Sequence, residues 1–596
     1  MKRVKFLILL IIVSIHILYS DNSLPALKGT IPPQNLEQVW GNYDPRTENL
    51  EIEVHKEWKE NGVTYQCIRY LIGTFKNKKS YMAAIYAFPT GKTDLPGILQ
   101  IHGGGGRSNP KICADYAQQG YAILSLNWRA DKRYLEDHQL SEKAQTEWGA
   151  IDGTQSRGSR TINPTPLKID QIASGRNSGY FLRTLAARRG LTFLEQQKEV
   201  NGDKLGVKGH SMGSVITMQT SAIDSRVKAC TPSAGPPIYV YDEELLLKKF
   251  RNDRERLRVE KLKIETASPG AYLSKLTCPT LFMNPLNDFH GKIEDMIKLT
   301  NGMPLNNFSI ASSEHLNHAH FNEAQASEYL WFDAHLKKSF IYPELPTISL
   351  VDATSKQSSY IEINPDPNSG LMIEYVDVFY TRDIELSETV TAKNRYWQHV
   401  SCSKDHNSYK AFLELLEVDK PLWVMANIKY RLPEKTENYN FPESMEHTRE
   451  FTVSTKMLPL SYSEVKKAGI TLTIDKTNVL SANNPMSKKM WYEAHQRTHT
   501  HLFSNPKLEI EDQQKFVFQY KSKGEGSIRF YFNGYGIKVP VQESDGTSLM
   551  TFKAEELVNE KKEKLLSWNA LKEQRTQFYY KMYGNLEVEL EKIYFE

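Results

Sequence analysis

The polar and apolar positions of this chain change period twice. Residues 50 to 90 alternate in short runs such as Tyr65-Gln66-Cys67-Ile68-Arg69-Tyr70 and Met82-Ala83-Ala84-Ile85-Tyr86-Ala87, the period-two signature of antiparallel edge strands. From Leu95 the runs become apolar on both faces and alternate with helical stretches. Leu95–Ile101, Tyr121–Leu126, Lys204–Val207, Val227–Thr231, Thr280–Met283 and Phe308–Ala311 read as parallel strands. Pro110–Gln119, Ser178–Gln197, Ser214–Ala222, Gly291–Thr300 and Asn322–Lys338 read as the helices between and after them. Strands buried on both faces and separated by helices predict an α/β class fold, a doubly wound, mostly parallel sheet covered on both sides.

After Pro343 the helical period stops. Tyr375-Val376-Asp377-Val378-Phe379-Tyr380 and Leu422–Tyr430 are β-rich runs separated by turn residues and predict a β-sandwich. From about Tyr462 a further all-β unit is expected, with Phe516–Tyr520, Ile528–Phe532 and Leu586–Phe595 as strands, resembling the jelly-roll modules that often bind carbohydrate. The division expected is therefore 1–20, 21–342, 343–461 and 462–596. Alternating aromatics in the last unit fit a sugar platform or a core, and the pattern alone favours the core.

The amino terminus changes the picture of location. Lys2, Arg3 and Lys5 precede an apolar run from Phe6 to Tyr19 that ends at the small residue Ser20, the layout of a secretory signal peptide. The run is about fourteen residues, short of the ~20 that span a bilayer, so export to a periplasmic or extracellular space is expected, without stable membrane insertion after cleavage. With 75 basic against 71 acidic residues and no basic stripe, nucleic acid is not an expected partner. Cys67, Cys113, Cys230, Cys278 and Cys402 lie far apart, with neither zinc-ligand spacing nor a dense disulfide framework. Buried thiols are expected for most, with room for one or two disulfides.

The candidate chemistry centres on Gly209-His210-Ser211-Met212-Gly213, set between an expected strand and an expected helix. A sharp strand-turn-helix bend forces a serine to project its hydroxyl, and glycines on both sides are needed where side chains would strike the neighbouring strand and helix. The strand Gly97–Ile101 runs into His102-Gly103-Gly104-Gly105-Gly106, whose side-chain-free backbone lets N–H groups approach an oxyanion. Gly104 and Met212 are the expected donors. A carboxylate and an imidazole should follow at later strand ends. Asp288, after Thr280–Met283, fits the first role, with Glu314 and Asp295 as weaker substitutes; His318, then His320, then His315 fit the second. Read as metal ligands instead, these histidines with His290 and Asp288 lack the i, i+4 spacing of a helical pair and would leave the serine without a base. No metal and no cofactor are expected.

These residues resemble the α/β-hydrolase superfamily, and within it the serine esterases of the acetyl xylan esterase and dienelactone-hydrolase-like group. The resemblance rests on His102–Gly106, Gly209–Gly213, Asn287-Asp288-Phe289-His290 and Asn317-His318, and spans roughly Leu95 to Lys338. It implies a Ser211, His318, Asp288 triad that forms an acyl-enzyme, and an acylated carbohydrate or other small ester as substrate. Ser211 stands where dienelactone hydrolases proper carry cysteine, which favours ester over lactone cleavage. A prolyl oligopeptidase-like serine peptidase shares the triad order, but about seventy residues ahead of the sheet are too few for the propeller such peptidases carry there. A carbohydrate-binding protein that has lost activity is the reading from another class. Two inserted segments are candidates for shaping the pocket: 130–177, with Trp148 and Asp152 as sugar contacts, and the charged helical stretch Tyr241–Ile264. Acyl group, polymer and oligomeric state are not legible.

Overall fold

The computed structural model describes residues 27–596 apart from 28, 30, 42, 152–160, 236–242, 304–306, 389, 435–444, 446–447, 471, 473–474, 482–490, 495–496 and 576. The expected signal peptide at 1–20 and the candidate Asp152 lie outside the described residues. A short helix, α1 (Leu36–Trp40), capped by the Asn35 side chain, precedes three antiparallel strands, β1 (Glu53–Glu60), β2 (Val63–Phe75) and β3 (Lys78–Pro89). The chain then alternates β4 (Leu95–Ile101), α2 (Pro110–Gln118), β5 (Ala122–Leu126), α3 (Arg133–His138), α4 (Gly179–Glu195), β6 (Val200–His210), α5 (Met212–Ile223) and β7 (Val227–Ser233). An insertion of α6 (Glu243–Lys249), α7 (Arg254–Ala267) and α8 (Pro269–Tyr272) precedes β8 (Thr280–Pro285), α9 (Ile293–Asn301), β9 (Phe308–Ser313) and α10 (Asn322–Phe332).

Among the described residues, nine strands pair in the order β1-β2-β3-β5-β4-β6-β7-β8-β9, with β4 to β9 parallel and β3 antiparallel to β5. This is a doubly wound, mostly parallel α/β sheet extended by antiparallel strands at one edge. All residues of β4, β8 and β9 are buried, because helices cover both faces; that is why their sequence runs are apolar throughout. The chain leaves β4 toward β5 on one side and returns as β6 on the other. The carboxyl ends of β4 and β6 therefore flank the switch point where open α/β sheets bind ligands.

Helix α4 is buried on nearly every side, between the sheet, α5 and the amino-terminal segment. Its Arg189 is fully buried and donates to the carbonyls of Pro45, Glu48 and Asn49 in the loop before β1 and of Leu71 at a register shift in β2, so the guanidinium satisfies backbone groups left without ladder partners. The two inserted segments meet: Ile162 packs with Leu262 and Ala267 of α7, and the fully buried Asn177 donates to the Ile162 and Ile172 carbonyls, tying 161–177 to itself. The exposed face of α7 carries the Glu255 and Arg258 pair, as its charge pattern predicts.

The carboxyl-terminal half is antiparallel β. Strands β10 (Thr347–Val351), β11 (Tyr360–Asn364), β12 (Ile373–Thr381), β13 (Gln398–Ser401), β14 (Ser403–Asp405), β15 (Ser408–Ala411), β16 (Leu422–Arg431), β17 (Glu450–Ser454) and β18 (Leu458–Leu460) form two sheets, β10-β11-β15-β14 and β13-β12-β16-β17 with β18 on β16. Ile361 and Ile363 of one sheet and Val376, Val378 and Val424 of the other share a core, a β-sandwich. The second sheet also packs on the α/β core. Ser327 Oγ of α10 donates to the Thr452 carbonyl at 2.7 Å, and Ser454 Oγ accepts from the Ser312 N–H of β9 at 2.9 Å.

The last module contains β19 (Val479–Ser481), β20 (Trp491–Ala494), β21 (Arg497–Thr500), β22 (Phe516–Phe532), β23 (Tyr535–Val541), β24 (Ser544–Phe552) and β25 (Phe578–Phe595). Long β22 and β25 pair from Phe516↔Phe595 to Phe532↔Phe578 and organise the rest. Phe516, Phe518, Phe530, Phe532 and Trp568 are buried, so one face of these alternating aromatic runs is core. Cys67, Cys113, Cys230 and Cys278 are buried thiols, the last two with Sγ atoms 3.8 Å apart. No helix among the described residues is long and apolar enough to cross a membrane.

Candidate active site

Strand β6 ends at His210 and α5 begins at Met212, leaving Ser211 alone at the bend with φ 60° and ψ −122°. A non-glycine residue rarely adopts such a conformation, and here the packing on both sides enforces it. The Ser211 N–H donates to the Ser233 carbonyl at 2.9 Å, and its own carbonyl accepts from the Ser214 N–H at 2.9 Å. A side chain on Gly213 would collide with the Ile101 carbonyl of β4, and one on Gly209 would strike the Gly213 carbonyl and Thr217 Oγ1. The two glycines of the pentapeptide are thus required by close approach rather than by their dihedrals.

The glycine turn after β4 lies against this bend. A Cβ on Gly103 would sit 3.1 Å from Ser211 Cβ, and one on Gly104 2.7 Å from Met212 Sδ, so the expected donor pair Gly104 and Met212 are neighbours. Met212 opens α5, where the first-turn N–H groups have no intrahelical acceptor. The turn is held from outside. The Trp128 indole donates to the His102 carbonyl at 2.9 Å and stacks on the His102 ring, and Arg129 donates to the Gly104 carbonyl at 2.5 Å. Burial pushes the His102 imidazole down to about 4, so it is a neutral packing group at neutral pH.

Asp288 follows β8 and His318 follows β9, and the structure brings them together. His318 Nδ1 lies 2.9 and 3.0 Å from the two Asp288 carboxylate oxygens. Asp288 Oδ1 also accepts from the His290 N–H at 2.6 Å and the Gly291 N–H at 3.1 Å. Burial alone raises the Asp288 pKa, but the His318 hydrogen bond and charge, with those two backbone donors, hold it below the ordinary carboxylate value. The Asp288 side chain is 0% exposed and that of His318 21%, so the imidazole opens to solvent with the carboxylate behind it. An ionised Asp288 takes the Nδ1 proton as its hydrogen bond and leaves Nε2 as the ring's acceptor. The His318 ring lies 4.8 Å from that of His210, the residue before Ser211, and 4.6 Å from that of Phe289, which is half-exposed.

The other histidines separate. His320 is partly buried, with Nε2 2.9 Å from Ser233 Oγ and Nδ1 3.3 Å from Ser313 Oγ, and desolvation pushes it down to about 4. His210 Nδ1 lies 2.9 Å from the same Ser233 hydroxyl, and burial, then the neighbouring His320 and His318, push it down to about 3. His315 is buried beside Tyr396 and His501 of the β modules, where burial lowers its pKa far below the ordinary value. Glu314 accepts from Asn427 Nδ2 at 2.9 Å, and Asp295 sits in the first turn of α9, so the carboxylate on His318 is Asp288. No group of three or more His, Cys, Asp or Glu side chains converges as metal ligands among the described residues. Trp148 is half-buried against the α/β core, its carbonyl accepting from Ser80 Oγ at 2.8 Å at the β2–β3 hairpin end.

Residues remote in sequence complete the site. Asn287 is buried and spends its whole amide on the β-sandwich: Nδ2 donates to the Lys393 and Arg395 carbonyls at 3.1 and 2.8 Å, and Oδ1 accepts from the Trp397 indole at 2.9 Å. Arg395, itself fully buried, pairs with Glu294 of α9 at 2.5 Å. The loop bearing the carboxylate is thereby clamped from the sandwich, and Glu314 on Asn427 fixes the root of the loop bearing the imidazole in the same way. Asn287 and Asn317 stand in the recognisable motifs, but nothing local marks Trp397 or Asn427 as their partners, since the contacts span a hundred residues or more.

No protein-family model matches the chain, and no curated protein matches it. Similar solved structures include an acetyl xylan esterase from Paenibacillus sp. R4, with TM-score 0.38 and 16% identity over 49% of this chain and 91% of that one. Acetyl xylan esterase 1 from a Thermoanaerobacterium sp. gives TM-score 0.37 and 13% identity over 48% and 88%. A dienelactone hydrolase-like promiscuous phosphotriesterase from metagenomic libraries gives 0.29 and 14% over 44% and 84%.

Proposed function

We propose that this protein is an exported serine ester hydrolase that removes acetyl or other short acyl groups from carbohydrate. The observation that carries the reading is the ionised, buried Asp288 on His318 Nδ1, at the sheet edge where Ser211 holds its strained bend. In this reading His318 Nε2 takes the Ser211 hydroxyl proton as Oγ attacks the ester carbonyl. The oxyanion that forms is received by the Met212 and Gly104 N–H groups, which need no reorganisation to meet it. Collapse expels the alcohol, which takes the proton back from His318. Water then attacks the acyl-enzyme with His318 again as base, and the acid leaves. Asp288 keeps the ring in the productive tautomer and stabilises its positive charge.

Support for a small acyl group on a bulky alcohol comes from the site's form. The His318 imidazole is partly exposed, and the half-exposed Phe289 ring beside it, with Lys393 Nζ 5.3 Å from its centroid, forms an apolar and cationic rim against which a sugar alcohol can pack. The test is hydrolysis of p-nitrophenyl acetate, butyrate and octanoate, and of acetylated xylan, by the mature chain and by Ser211→Ala. Acetyl-ester cleavage that exceeds octanoate cleavage and disappears in the variant is the expected result. Turnover that survives Ser211→Ala, or cleavage of proline-containing peptides in place of esters, would overturn it. Export predicts an amino terminus at Asp21 in protein recovered from the native host, read by intact mass.

A further inference from the structure

One face of β22 and β25 forms the module's buried core, whereas the opposite face is exposed and of unusual composition. The pairing of β22 with β23 and β25 sets Lys538, Arg529 and Lys581 directly across from one another, a row of three cations on adjacent strands. Like charges opposed across strands repel and destabilise a sheet. Among the described residues no carboxylate pairs with any of the three, so the module does not neutralise the row itself.

The row is flanked by tyrosines. Two residues along, Tyr531 is opposite Tyr579, and the rings stack at 4.4 Å. Two residues the other way Tyr583 is opposite Ser527, and its hydroxyl reaches to 3.3 Å from that of Tyr531. The cations lie over these rings: Arg529 4.9 Å from the Tyr531 centroid, Lys538 and Lys581 5.3 and 5.2 Å from that of Tyr583. All three also bear on the Tyr583 hydroxyl, which is held below its ordinary pKa by the Tyr531 hydrogen bond first and then, against burial, by Lys581, Arg529 and Lys538. Tyr531, Tyr579 and Tyr583 are half-exposed, and Arg529 and Lys538 are exposed.

We propose that this face binds an anionic polysaccharide, a polyuronate, whose carboxylates pair with Lys538, Arg529 and Lys581 while its sugar rings pack against the part-exposed Tyr531, Tyr579 and Tyr583 cluster that holds those cations. A sheet face is flat and extended, which suits a chain of pyranose rings. Cations interleaved with rings supply an electrostatic term that a neutral glycan would not use. The site lies in a different module from Ser211 and goes beyond the proposed hydrolase reading.

The test is affinity electrophoresis and calorimetry on the full chain carrying Ser211→Ala, so that no polymer is consumed. Polygalacturonate is the probe, with unsubstituted neutral xylan and a single-stranded oligonucleotide of matched charge as comparisons. Binding to polygalacturonate is expected to exceed that to xylan by at least about tenfold and to weaken as salt rises. Arg529→Gln, Lys538→Gln and Tyr531→Ser should each weaken it by about five- to thirtyfold at unchanged thermal midpoint for the exposed Lys538→Gln. No binding to polygalacturonate, binding indifferent to Lys538→Gln, binding indifferent to Tyr531→Ser, or tighter binding of the oligonucleotide would each overturn the proposal. Because none of these readouts involves turnover, they stand or fall apart from the assignment of Ser211.

Discussion

Ser211, Ala234, His315 and His318 all carry positive φ without being glycine, at 60°, 53°, 56° and 58°, and all four lie at the carboxyl edge of the sheet. Each such residue costs of order 1–3 kcal/mol and persists where its surroundings over-determine it. Most of the other non-glycine residues with positive φ lie elsewhere in the chain; what sets this edge apart is that Ser211 and His318 stand beside Asp288, a buried carboxylate held below its ordinary pKa. Asp288→Asn should keep the fold yet lower kcat on p-nitrophenyl acetate by about 10⁴-fold, because the amide presents an N–H to Nδ1 and favours the wrong tautomer. Loss of less than about tenfold would remove Asp288 from the role proposed for it. The neighbouring imidazoles set a second expectation. His102 and His320 are pushed down to about 4 and His210 to about 3, by burial first in each case. In the folded chain they are neutral at pH values where the unfolded chain, with imidazoles near 6.5, already binds protons. Stability should therefore fall from about pH 6.5 toward about pH 4, by up to about 1.4 kcal/mol per pH unit for each group. Asp288, lowered from 3.8, adds to the loss in the same direction as pH falls through its folded value. Urea midpoints between pH 8 and 4.5 check this; a midpoint that rises on acidification would contradict it.

At the scale of elements, the parallel strands were legible because burial on both faces leaves a continuous apolar run, as in β4 and β8. The bend at Ser211 was legible because close backbone approach at Gly209 and Gly213 admits no side chain. Three histidines within six residues were ordered His318, His320, His315 from the sequence, but what separates them is their packing partners, which spacing does not show: His320 meets Ser233 and Ser313, and His315 meets Tyr396 and His501. The clamp on Asn287 was illegible for the same reason. It yields a prediction at this scale. Asn287→Ala and the milder Trp397→Phe free the acid-bearing loop, and a displacement of about 1 Å costs about 10²-fold in rate. Both variants should lose kcat by about 10- to 100-fold, with KM within about threefold of the parent. They should also speed amide hydrogen exchange across 285–291. Unchanged kcat per folded molecule in both variants would show that the sandwich only shelters the loop.

The whole molecule follows from these contacts. An appended module joined by a linker would leave the α/β core complete, whereas here Asn287, Glu314 and His315 are all buried against residues beyond 342. A chain ending at residue 342 would expose three polar or titratable groups whose partners are gone, together with the face of α10 and β9 that the sandwich covers. Expressed alone it should be insoluble or, if soluble, at least about 100-fold less active on p-nitrophenyl acetate than the full chain. Equal specific activity would mean that the β modules are dispensable for catalysis. The last module stands differently, since the tyrosine and cation face lies on the opposite side of its sheet from the buried aromatic core. The architecture thus places both β units against the loop that bears His318, through Tyr396 and His501, and gives the last one an outer face besides.

The most direct measurement of the central claim is covalent capture. The full chain, its His318→Gln variant and its Ser211→Ala variant would be incubated with a fluorophosphonate, whose phosphorus takes the attacking oxygen as fluoride leaves, and read by intact mass and peptide mapping. The account predicts one adduct per chain, on Ser211, slowed by at least about 10³-fold in His318→Gln and absent in Ser211→Ala. An adduct on another residue, or none on a folded chain, would contradict it.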